Sequence, residues 1–264
     1  MAVMSALAYA KINTGLKVGE KREDGFHGIA TVFRLIDLCD CIDVLYQEGM
    51  PFSVMVSGLE GICAPGKSTI EKAARLWHGA TGIEAGIIVS IKKNSPVGAG
   101  LGGGSSDAAE FLKMLKAFSK DRLSVQKLKE IALEVGSDVP FFMSGFHCAA
   151  AIGRGEILAP MESSKMKGFI VVPDSAVKST ASAFAELDSR SCVAQLPSLE
   201  EIKNGILGFS NDFEAVNSRP DIVLKKGESL FLTGSGSCWV LLTDRSAGDI
   251  DLRGFSLVPF DAVL

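Results

Sequence analysis

The sequence predicts a protein that mixes α-helices with β-strands and has room for two domains. Its 264 residues are enough for one large or two modest domains. A hydrophobic content of 47% is typical of a compact globular protein. Strand-like segments open the chain, and strands are interleaved with helices in its second half. We expect domains at 1–150 and 151–264, although no Pro- or Gly-rich linker marks the boundary.

The first half of the chain begins with strands and then changes to helices. Strand-like runs separated by Gly, Asp and Glu turns predict strands at 7–16, 29–38, 40–46 and 52–57. Ser68 and Glu71 have the spacing of a capping box, which predicts a helix over 68–77. A strand at 86–92 follows, then a helix at 106–118 and a helix that ends at Gly136.

The second half has weaker signals for its elements. We expect strands at 147–152, 168–172, 238–243 and 255–260, and helices near 176–187, 198–206 and 211–217. Between two apolar runs, Thr233-Gly234-Ser235-Gly236 is a second glycine turn. An ordinary β-turn is one interpretation of it.

The stretch between the strand at 86–92 and the helix at 106–118 is the most informative part of the chain. It holds five glycines and two serines. Glycine reaches positive φ and lets the backbone approach a ligand, and a helix N-terminus offers unpaired N–H groups with partial positive charge. This glycine loop, Pro96 to Ser106, therefore predicts an anion-binding site, most often one for phosphate.

Other glycine motifs fit the loop less well. A Walker A loop needs a Lys after its last Gly, and none stands here. The stretch from Gly98 to Gly103 matches the Rossmann fingerprint, but the acidic residue expected about 20 residues later should end a second strand. That region, 119–122, lies between two predicted helices. A flexible linker would not lead directly into a well-patterned helix.

Charge, cysteines and hydrophobic patterning exclude several classes of protein. The net charge is −4 and basic residues do not cluster, so we expect no nucleic-acid partner. The N-terminus lacks the basic region of a signal peptide, and no apolar stretch reaches the roughly 18 residues of a membrane span. We therefore expect a cytoplasmic protein without membrane contact. Reduced, buried thiols are expected at the scattered cysteines, which lack metal-ligand spacing: Cys39, Cys41, Cys63, Cys148, Cys192 and Cys238.

Three polar clusters could carry chemistry. Lys11 lies in an otherwise apolar strand, where a Lys usually extends to solvent. Phe26 and His27 follow an Asp-Gly turn and are either local packing or a surface that stacks on a base and hydrogen-bonds its edge. Asp138 either caps a short helix or accepts a substrate proton. Phosphoryl transfer needs a phosphate cradle, a cation and a carboxylate, and the glycine loop, Lys11 and Asp138 supply one of each.

These motifs together resemble the GHMP kinase family. Pro96 to Ser106 is similar to the nucleotide loop of that family. The other similar segments follow one another in order over nearly the whole chain: Ala10 to Asn13, Asp24 to His27, Gly136 to Phe141, Gly153 to Glu156, Phe209 to Glu214 and Leu232 to Gly236.

The resemblance implies a two-domain α+β fold, with a first domain like ribosomal protein S5 domain 2 and a ferredoxin-like second domain. It also implies an enzyme that uses ATP, with Mg²⁺ assisting, to phosphorylate the 2-hydroxyl of a cytidine diphosphate-linked methylerythritol. This step belongs to non-mevalonate isoprenoid precursor biosynthesis. We expect this small molecule as the acceptor and a monomer or weak homodimer, while the ligands of Mg²⁺ stay unknown.

The same resemblance assigns roles to individual residues. Asp138 is the expected general base, and Lys11 is the cation that keeps it ionised and polarises the hydroxyl. Phe26 stands where the family usually has Tyr, so its ring can still stack on cytosine without the hydroxyl contact. The expected ATP-binding residues are Pro96, Val97, Gly98, Ala99, Gly100, Leu101, Gly102, Gly103, Gly104, Ser105 and Ser106. The expected substrate-binding residues are Asn13, Phe26, His27, Thr180, Phe184, Gly234 and Ser235.

Two other functions stay open at this point. One is a GHMP kinase for another small alcohol, against which Phe26 and His27 argue, because such substrates carry no base to stack. The other is a non-catalytic nucleotide or metabolite sensor on the same fold. Such a sensor would keep the glycine loop but could lose the base or the cation, whereas this chain has both Asp138 and Lys11.

Overall fold

The computed structural model describes residues 1–174, 179–189 and 195–264. The chain forms two compact units, each built from segments that are separate in sequence. The first unit contains Met1–Ala10, Cys39–Val97 and Gly102–Gly145. The second contains Lys11–Leu38, Gly98–Leu101 and Phe146–Leu264. The predicted domain boundary at residue 150 stays a prediction.

Strands and helices alternate as a mixed α and β chain. The strands are β1 Ala2–Lys21, β2 His27–Glu48, β3 Ser53–Ser57, β4 Ala85–Lys92, β5 Cys148–Gly153, β6 Ile157–Pro160, β7 Lys167–Pro173, β8 Ser229–Leu232, β9 Trp239–Leu242 and β10 Phe255–Asp261. The α-helices are α1 Thr69–Thr81, α2 Gly103–Ser119, α3 Val125–Val135, α4 Val139–Met143, α5 Thr180–Asp188 and α6 Leu199–Lys203.

The first unit combines part of a sheet with four helices. Strand β4 pairs antiparallel with the 41–48 part of β2 and parallel with β3. Alternate residues of β4, from Ala85 to Ile91, are buried, as expected for a strand with one covered face. Helices α1 to α4 pack on one another, and Trp77, Phe111 and Phe141 of this unit are fully buried. This core fixes the end of β4 and the start of α2, which flank the glycine loop.

The second unit contains the other part of the long strands and a separate sheet. The 29–34 part of β2 pairs antiparallel with β5, and β5 pairs with β6. The separate sheet is antiparallel throughout, with strand order β10-β7-β9-β8. Its core includes Phe169, Phe213, Leu232 and Trp239. Strand β1 pairs with β2.

Most predicted elements are confirmed, but several boundaries in the first half were wrong. Strand β1 extends over Ala2–Lys21, beyond the predicted 7–16, and helix α1 ends at Thr81, beyond the predicted residue 77. The predicted strands 29–38 and 40–46 form the single strand β2, because Asp40 is buried and hydrogen-bonded rather than part of a turn. Helix α2 begins at Gly103, ahead of the predicted residue 106, because Gly102 is left-handed with φ 69° and serves as its N-cap. Helix α1 has the predicted capping box between Ser68 and Glu71.

In the second half the predicted helices are shorter. The helix predicted near 198–206 is α6, and the one near 211–217 is the 3₁₀ helix Asp212–Val216. The helix predicted near 176–187 is α5, whose expected first residues, 176–178, lie outside the described part of the chain. Strands β6 and β8 were not predicted, and helix α4 is the short helix that one interpretation of Asp138 expected.

The structure also bears on the membrane and thiol expectations. No helix in the described ranges is long and apolar enough to cross a membrane. Cys148 and Cys238 are buried free thiols, and burial raises the pKa of Cys238 to about 12. Cys39, Cys41 and Cys63 are free but only partly buried, so the expectation of burial was wrong for them. Cys192 lies outside the described residues.

Candidate active site

The glycine loop reaches helix α2 through three left-handed glycines. The φ angles of Gly98, Gly100 and Gly102 are 72°, 77° and 69°, values that other residues rarely adopt. No side chain in the described part of the chain caps α2. The carbonyl of Gly102 accepts the N–H groups of Ser105 and Ser106 at 3.0 and 2.9 Å. The N–H groups that precede them at the N-terminus of the helix are therefore suited to bind an anion.

The middle of the loop lies against the second glycine turn, within the second unit. A Cβ at Gly100 would come 2.7 Å from the carbonyl oxygen of Thr233, and one at Gly234 would come 2.8 Å from the carbonyl oxygen of Gly100. Both distances are shorter than real Cβ contacts. The two backbones thus touch, and the turn supports the loop in addition to reversing the chain.

Lys11 is buried and bonded to the same loop. Its residue is 3% exposed. Its Nζ donates to the carbonyl of Gly100 at 2.9 Å and to Oδ1 of Asn13 at 2.6 Å. Its backbone N–H donates to the carbonyl of Leu101 at 2.9 Å. The interpretation of Lys11 as a solvent-reaching strand lysine was therefore wrong, and the loop has a positive charge held at its middle.

Asn13 links Lys11 to the second glycine turn. Besides the bond from Lys11, its Nδ2 donates to Oγ1 of Thr31 at 2.7 Å. Its backbone N–H donates to Oγ1 of Thr233 at 2.8 Å. The side chain is buried and has partners at both polar atoms. These contacts give Asn13 a role in orienting Lys11, while its contact with a substrate stays a prediction.

Asp138 lies in the first unit, where the chain enters the short helix α4. It occupies the N-cap position, but its side chain does not cap this helix, so the capping interpretation was wrong. A Cβ at the neighbouring Gly136 would lie 3.7 Å from Oγ of Ser105. The turn that carries Asp138 therefore lies beside the first turn of α2, close to the expected phosphate position.

His27 lies among aromatic and acidic groups of the second unit. Its ring stacks on Phe184 with centroids 5.0 Å apart. Nδ1 faces the carbonyl of Gly19 at 3.0 Å, and Nε2 is 3.3 Å from a carboxylate oxygen of Asp188. Both ring nitrogens thus face oxygen acceptors, a carbonyl at Nδ1 and a carboxylate at Nε2. These contacts hold the ring in one orientation.

Phe26 presents an aromatic surface beside His27. The residue is 46% exposed, and the guanidinium carbon of Arg154 lies 3.5 Å from its ring centroid. The guanidinium covers one face of the ring by a cation–π contact, so a base could stack on the other. Sequence reasoning did not assign Arg154 to the site, and its only signal was the segment Gly153 to Glu156.

The remaining predicted substrate residues lie near the start of α5. Oγ of Ser235 donates to Oγ1 of Thr180 at 3.1 Å, which ties the second glycine turn to this helix. Phe184 lies one turn further along α5, where it contacts His27 and meets Phe213 edge-on at 4.8 Å. The structure thus connects Thr180 to Ser235 and Phe184 to His27.

Asn211 holds the second glycine turn and was not predicted as a functional residue. Its Nδ2 donates to the carbonyls of Leu232 and Gly234 at 3.0 and 2.9 Å, and its Oδ1 accepts the N–H of Phe213 at 3.0 Å. A polar residue between apolar segments was the available signal. No three His, Cys, Asp or Glu side chains of the described residues form a group that could hold a metal ion.

Comparison with known proteins gives the class of the chain. Residues 68–146 match the family model described as GHMP kinases N terminal domain. A solved structure titled 4-(cytidine 5'-diphospho)-2C-methyl-D-erythritol kinase superposes with a TM-score of 0.73 at 27% identity, covering 98% of this chain and 99% of that one. The Methanococcus jannaschii mevalonate kinase, at 15% identity and a TM-score of 0.63, shares the fold.

Curated relatives narrow the class. A protein from Caldicellulosiruptor bescii is 37% identical over 77% of this chain and 70% of its own length. One from Solibacter usitatus is 33% identical over 91% of this chain and 81% of its own. The chain therefore belongs to the GHMP kinase family, and the predicted α+β fold of that family is confirmed. Both relatives are named 4-diphosphocytidyl-2-C-methyl-D-erythritol kinase. A Shewanella baltica relative of the same name is 37% identical, but the match spans only 62% of its length.

Proposed function

We propose that this chain is an ATP-dependent kinase that phosphorylates the 2-hydroxyl of 4-diphosphocytidyl-2-C-methyl-D-erythritol. The observation that carries the proposal is the buried Lys11 ammonium on the carbonyl of Gly100, in the middle of a loop that leads into an uncapped helix N-terminus. A fixed cation and a ready set of N–H donors in one loop suit the transfer of a charged phosphoryl group. The names of the relatives support the choice of acceptor.

The donor side of the proposed reaction is the loop from Pro96 to Ser106. The left-handed glycines let the backbone turn toward the phosphates, and the first N–H groups of α2 would donate to phosphate oxygens. The positive end of the helix adds a favourable field. We propose Mg²⁺ as well, because in kinases it usually binds through the phosphates and one or two carboxylates. When bound, it would neutralise charge on the β- and γ-phosphates, and we assign it no protein ligand.

Asp138 and Lys11 are assigned to the transfer itself. The carboxylate of Asp138 would accept the proton of the acceptor hydroxyl as its oxygen bonds to the γ-phosphorus and the bond to the ADP oxygen breaks. Lys11 would stabilise the negative charge that develops on the transferred group. Its bonds to Asn13 and Gly100 hold the ammonium in place.

The acceptor side is assigned to the aromatic residues of the second unit. Phe26 would stack on the cytosine ring, with Arg154 behind it. The ring of His27, held in one orientation, would contact the base edge, and Phe184 supports that ring. We also assign Thr180, Gly234, Ser235 and Asn13 to the substrate side. Base stacking of this kind contributes about 1–3 kcal/mol.

The setting of the enzyme is also a proposal. Free thiols at several described positions are typical of a reducing compartment, which supports the cytoplasm. We propose action as a monomer or weak homodimer on a small molecule, without a nucleic-acid partner, and we retain the domain division at residue 150.

The test is the formation of ADP by the purified chain with ATP, Mg²⁺ and the proposed acceptor. We expect ADP release that depends on this acceptor and is inhibited by CMP, which competes for the base surface. Release with mevalonate-type alcohols and no inhibition by CMP would indicate another GHMP kinase activity. No release above the control without acceptor would refute the kinase assignment.

A further inference from the structure

A buried ion cluster lies at the two ends of the glycine loop, inside the first unit. Lys93 follows β4, just before the loop, and Asp107 lies in the first turn of α2, just after it. Nζ of Lys93 donates to Oδ2 of Asp107 at 2.8 Å and also to Oδ2 of Asp40. Both carboxylates are buried, and the Lys93 side chain is 13% exposed. One ammonium thus bridges the residues before and after the loop.

Asp40 also holds the backbone where the loop begins. Its Oδ1 accepts the N–H of Asn94 at 2.7 Å and that of Ser95 at 2.8 Å. Pro96, the first residue of the loop, follows directly. The direction in which the chain leaves β4 is therefore set by a carboxylate on another strand.

The first residue of α2 rests on the same cluster. A Cβ at Gly103 would lie 3.1 Å from Nζ of Lys93 and 3.3 Å from Oδ2 of Asp40. The helix backbone thus lies close to the charged atoms, at distances where a Cβ would make only tight contacts. This backbone carries the N–H groups assigned to the ATP phosphates, so the cluster and the phosphates would lie on neighbouring parts of one segment.

The cluster is an inefficient way to stabilise the fold. It buries two carboxylates with one ammonium, and Oδ1 of Asp107 has no hydrogen-bond partner in the part of the chain that the structure describes. Burial raises the pKa of Asp107 to about 6, although Lys93 acts to lower it. Apolar residues of similar volume often stabilise a protein as well as such groups do or better. What the charged groups provide is a defined geometry between two strands and a helix.

We propose, resting on the ATP-binding function proposed above, that Lys93, Asp40 and Asp107 form a positioning cluster for the nucleotide loop. Lys93 fixes the separation between the two ends of the loop through its bonds to the two carboxylates. The cluster thereby holds the first N–H groups of α2 where they bind the phosphates of a nucleoside triphosphate. None of the three side chains needs to contact the nucleotide.

The test compares two substitutions of Asp107 by the binding of a non-hydrolysable ATP analogue and by steady-state kinetics. Asp107→Ala cuts the bridge but leaves Lys93 paired with Asp40, so no lone charge is buried. We expect a Kd for the analogue and a KM for ATP that rise about 10-fold or more, with the KM of the acceptor within about 2-fold. Asp107→Asn keeps an acceptor oxygen for Lys93 and should restore both values to within about 3-fold of wild type.

Two further variants separate positioning from stability. Glu228→Ala removes a partly buried ion pair with Arg245 in the second unit and should lower the melting temperature without changing the Kd for the analogue. Lys93→Arg keeps the charge, and with it the fold, but its longer planar head changes the separation of the two carboxylates. We expect this variant to weaken analogue binding about 5-fold or more.

The outcomes distinguish this proposal from the proposed function. Analogue binding unchanged in Asp107→Ala and Lys93→Arg would overturn the positioning role, whatever their stability. A wild-type chain that binds the analogue but does not phosphorylate the proposed acceptor would refute only the acceptor assignment, and the variants would still be judged by their Kd. A wild-type chain that does not bind the analogue would overturn both.

Discussion

At the level of single residues, the proposed chemistry depends on one cation, Lys11, and one carboxylate, Asp138. Lys11 is held by side-chain and backbone acceptors, Asn13 and Gly100, that leave its ammonium little freedom. Asp138 lies at a turn that enters α4, beside the first turn of α2. A preorganised cation and a carboxylate suit a reaction whose catalysis is mainly positioning and charge stabilisation.

Replacement of Asp138 tests the proposed base. Asp138→Asn retains the size of the side chain but cannot accept the acceptor proton, so we expect kcat to fall about 10²–10⁴-fold. The Kd of an ATP analogue should change little, because the residue is not assigned to the phosphates. ADP release measures the first quantity and calorimetry the second. Asp249→Asn, at a carboxylate bonded to Ser246 far along the chain, is the matched control. Unchanged turnover in Asp138→Asn would exclude Asp138 as the base.

Asp107 predicts a specific dependence of stability on pH. Its pKa in the folded chain is raised from 3.8 to about 6, mainly by burial, so the folded state binds this proton more tightly than the unfolded state. The resulting stabilisation is complete below about pH 4 and is lost as the pH rises through about 6. Asp107→Asn removes this pH dependence. Its free energy of unfolding, relative to that of wild type, should therefore increase by on the order of 1–3 kcal/mol between about pH 4 and pH 7.

Urea unfolding of both chains at several pH values measures this difference, and other titrating groups cancel in the comparison. Groups that face Asp107 are Lys93 from the end of β4 and Asp40 from β2. A difference between the two chains that stays constant over the whole pH range would mean that Asp107 does not titrate there.

At the level of elements, the sequence predicted the features that depend on residues close together in the chain. The capping box of α1 and the alternation in β4 depend on neighbours in sequence, and both were found where expected. The break predicted near Asp40 failed because the partners of its carboxylate, Asn94 and Ser95, lie on a distant part of the chain. The contact between Gly100 and Gly234 leaves no sequence signal beyond the glycines themselves.

That glycine contact predicts the effect of one methyl group. Gly234→Ala places a Cβ 2.8 Å from the carbonyl oxygen of Gly100 at a φ of +61°. We expect the loop to shift and the KM for ATP to rise about 10-fold or more. The control is Gly82→Ala, which has the same φ of +61° and nothing within 4 Å. Both variants should lose about 1–2 kcal/mol of stability from the left-handed backbone. A KM for ATP that rises equally in both would contradict the role of the contact.

At the level of the whole molecule, each unit carries a different part of the proposed chemistry. The second unit holds Lys11, the middle of the glycine loop and the aromatic residues. The first unit holds Asp138, the start of α2 and the cluster around Lys93. The motifs predicted these residue types, but the support given by Asn211 and Arg154 depends on long-range packing that a single sequence does not reveal.

This division predicts that the aromatic surface for the base, at Phe26, can be removed without loss of nucleoside triphosphate binding. Phe26→Ala deletes a ring that is 46% exposed, so the fold should tolerate it. Loss of a stacking contact of about 1–3 kcal/mol weakens CMP binding by about 5- to 150-fold. The thermal stabilisation that CMP confers should therefore disappear, since it depends on the ratio of ligand concentration to Kd. Stabilisation by an ATP analogue should remain, because none of its assigned contacts involves Phe26.

Phe209→Ala is the matched control for this comparison. Its ring is 41% exposed and stacks on Phe231, also in the second unit, so its deletion removes a similar aromatic surface. It should retain stabilisation by both ligands. If CMP stabilises Phe26→Ala and Phe209→Ala equally, the base does not bind at Phe26. The cytidine of the proposed acceptor must then bind elsewhere. If Phe26→Ala instead loses the response to the ATP analogue, the aromatic pair belongs to the donor, because adenine would then be the base that it stacks on.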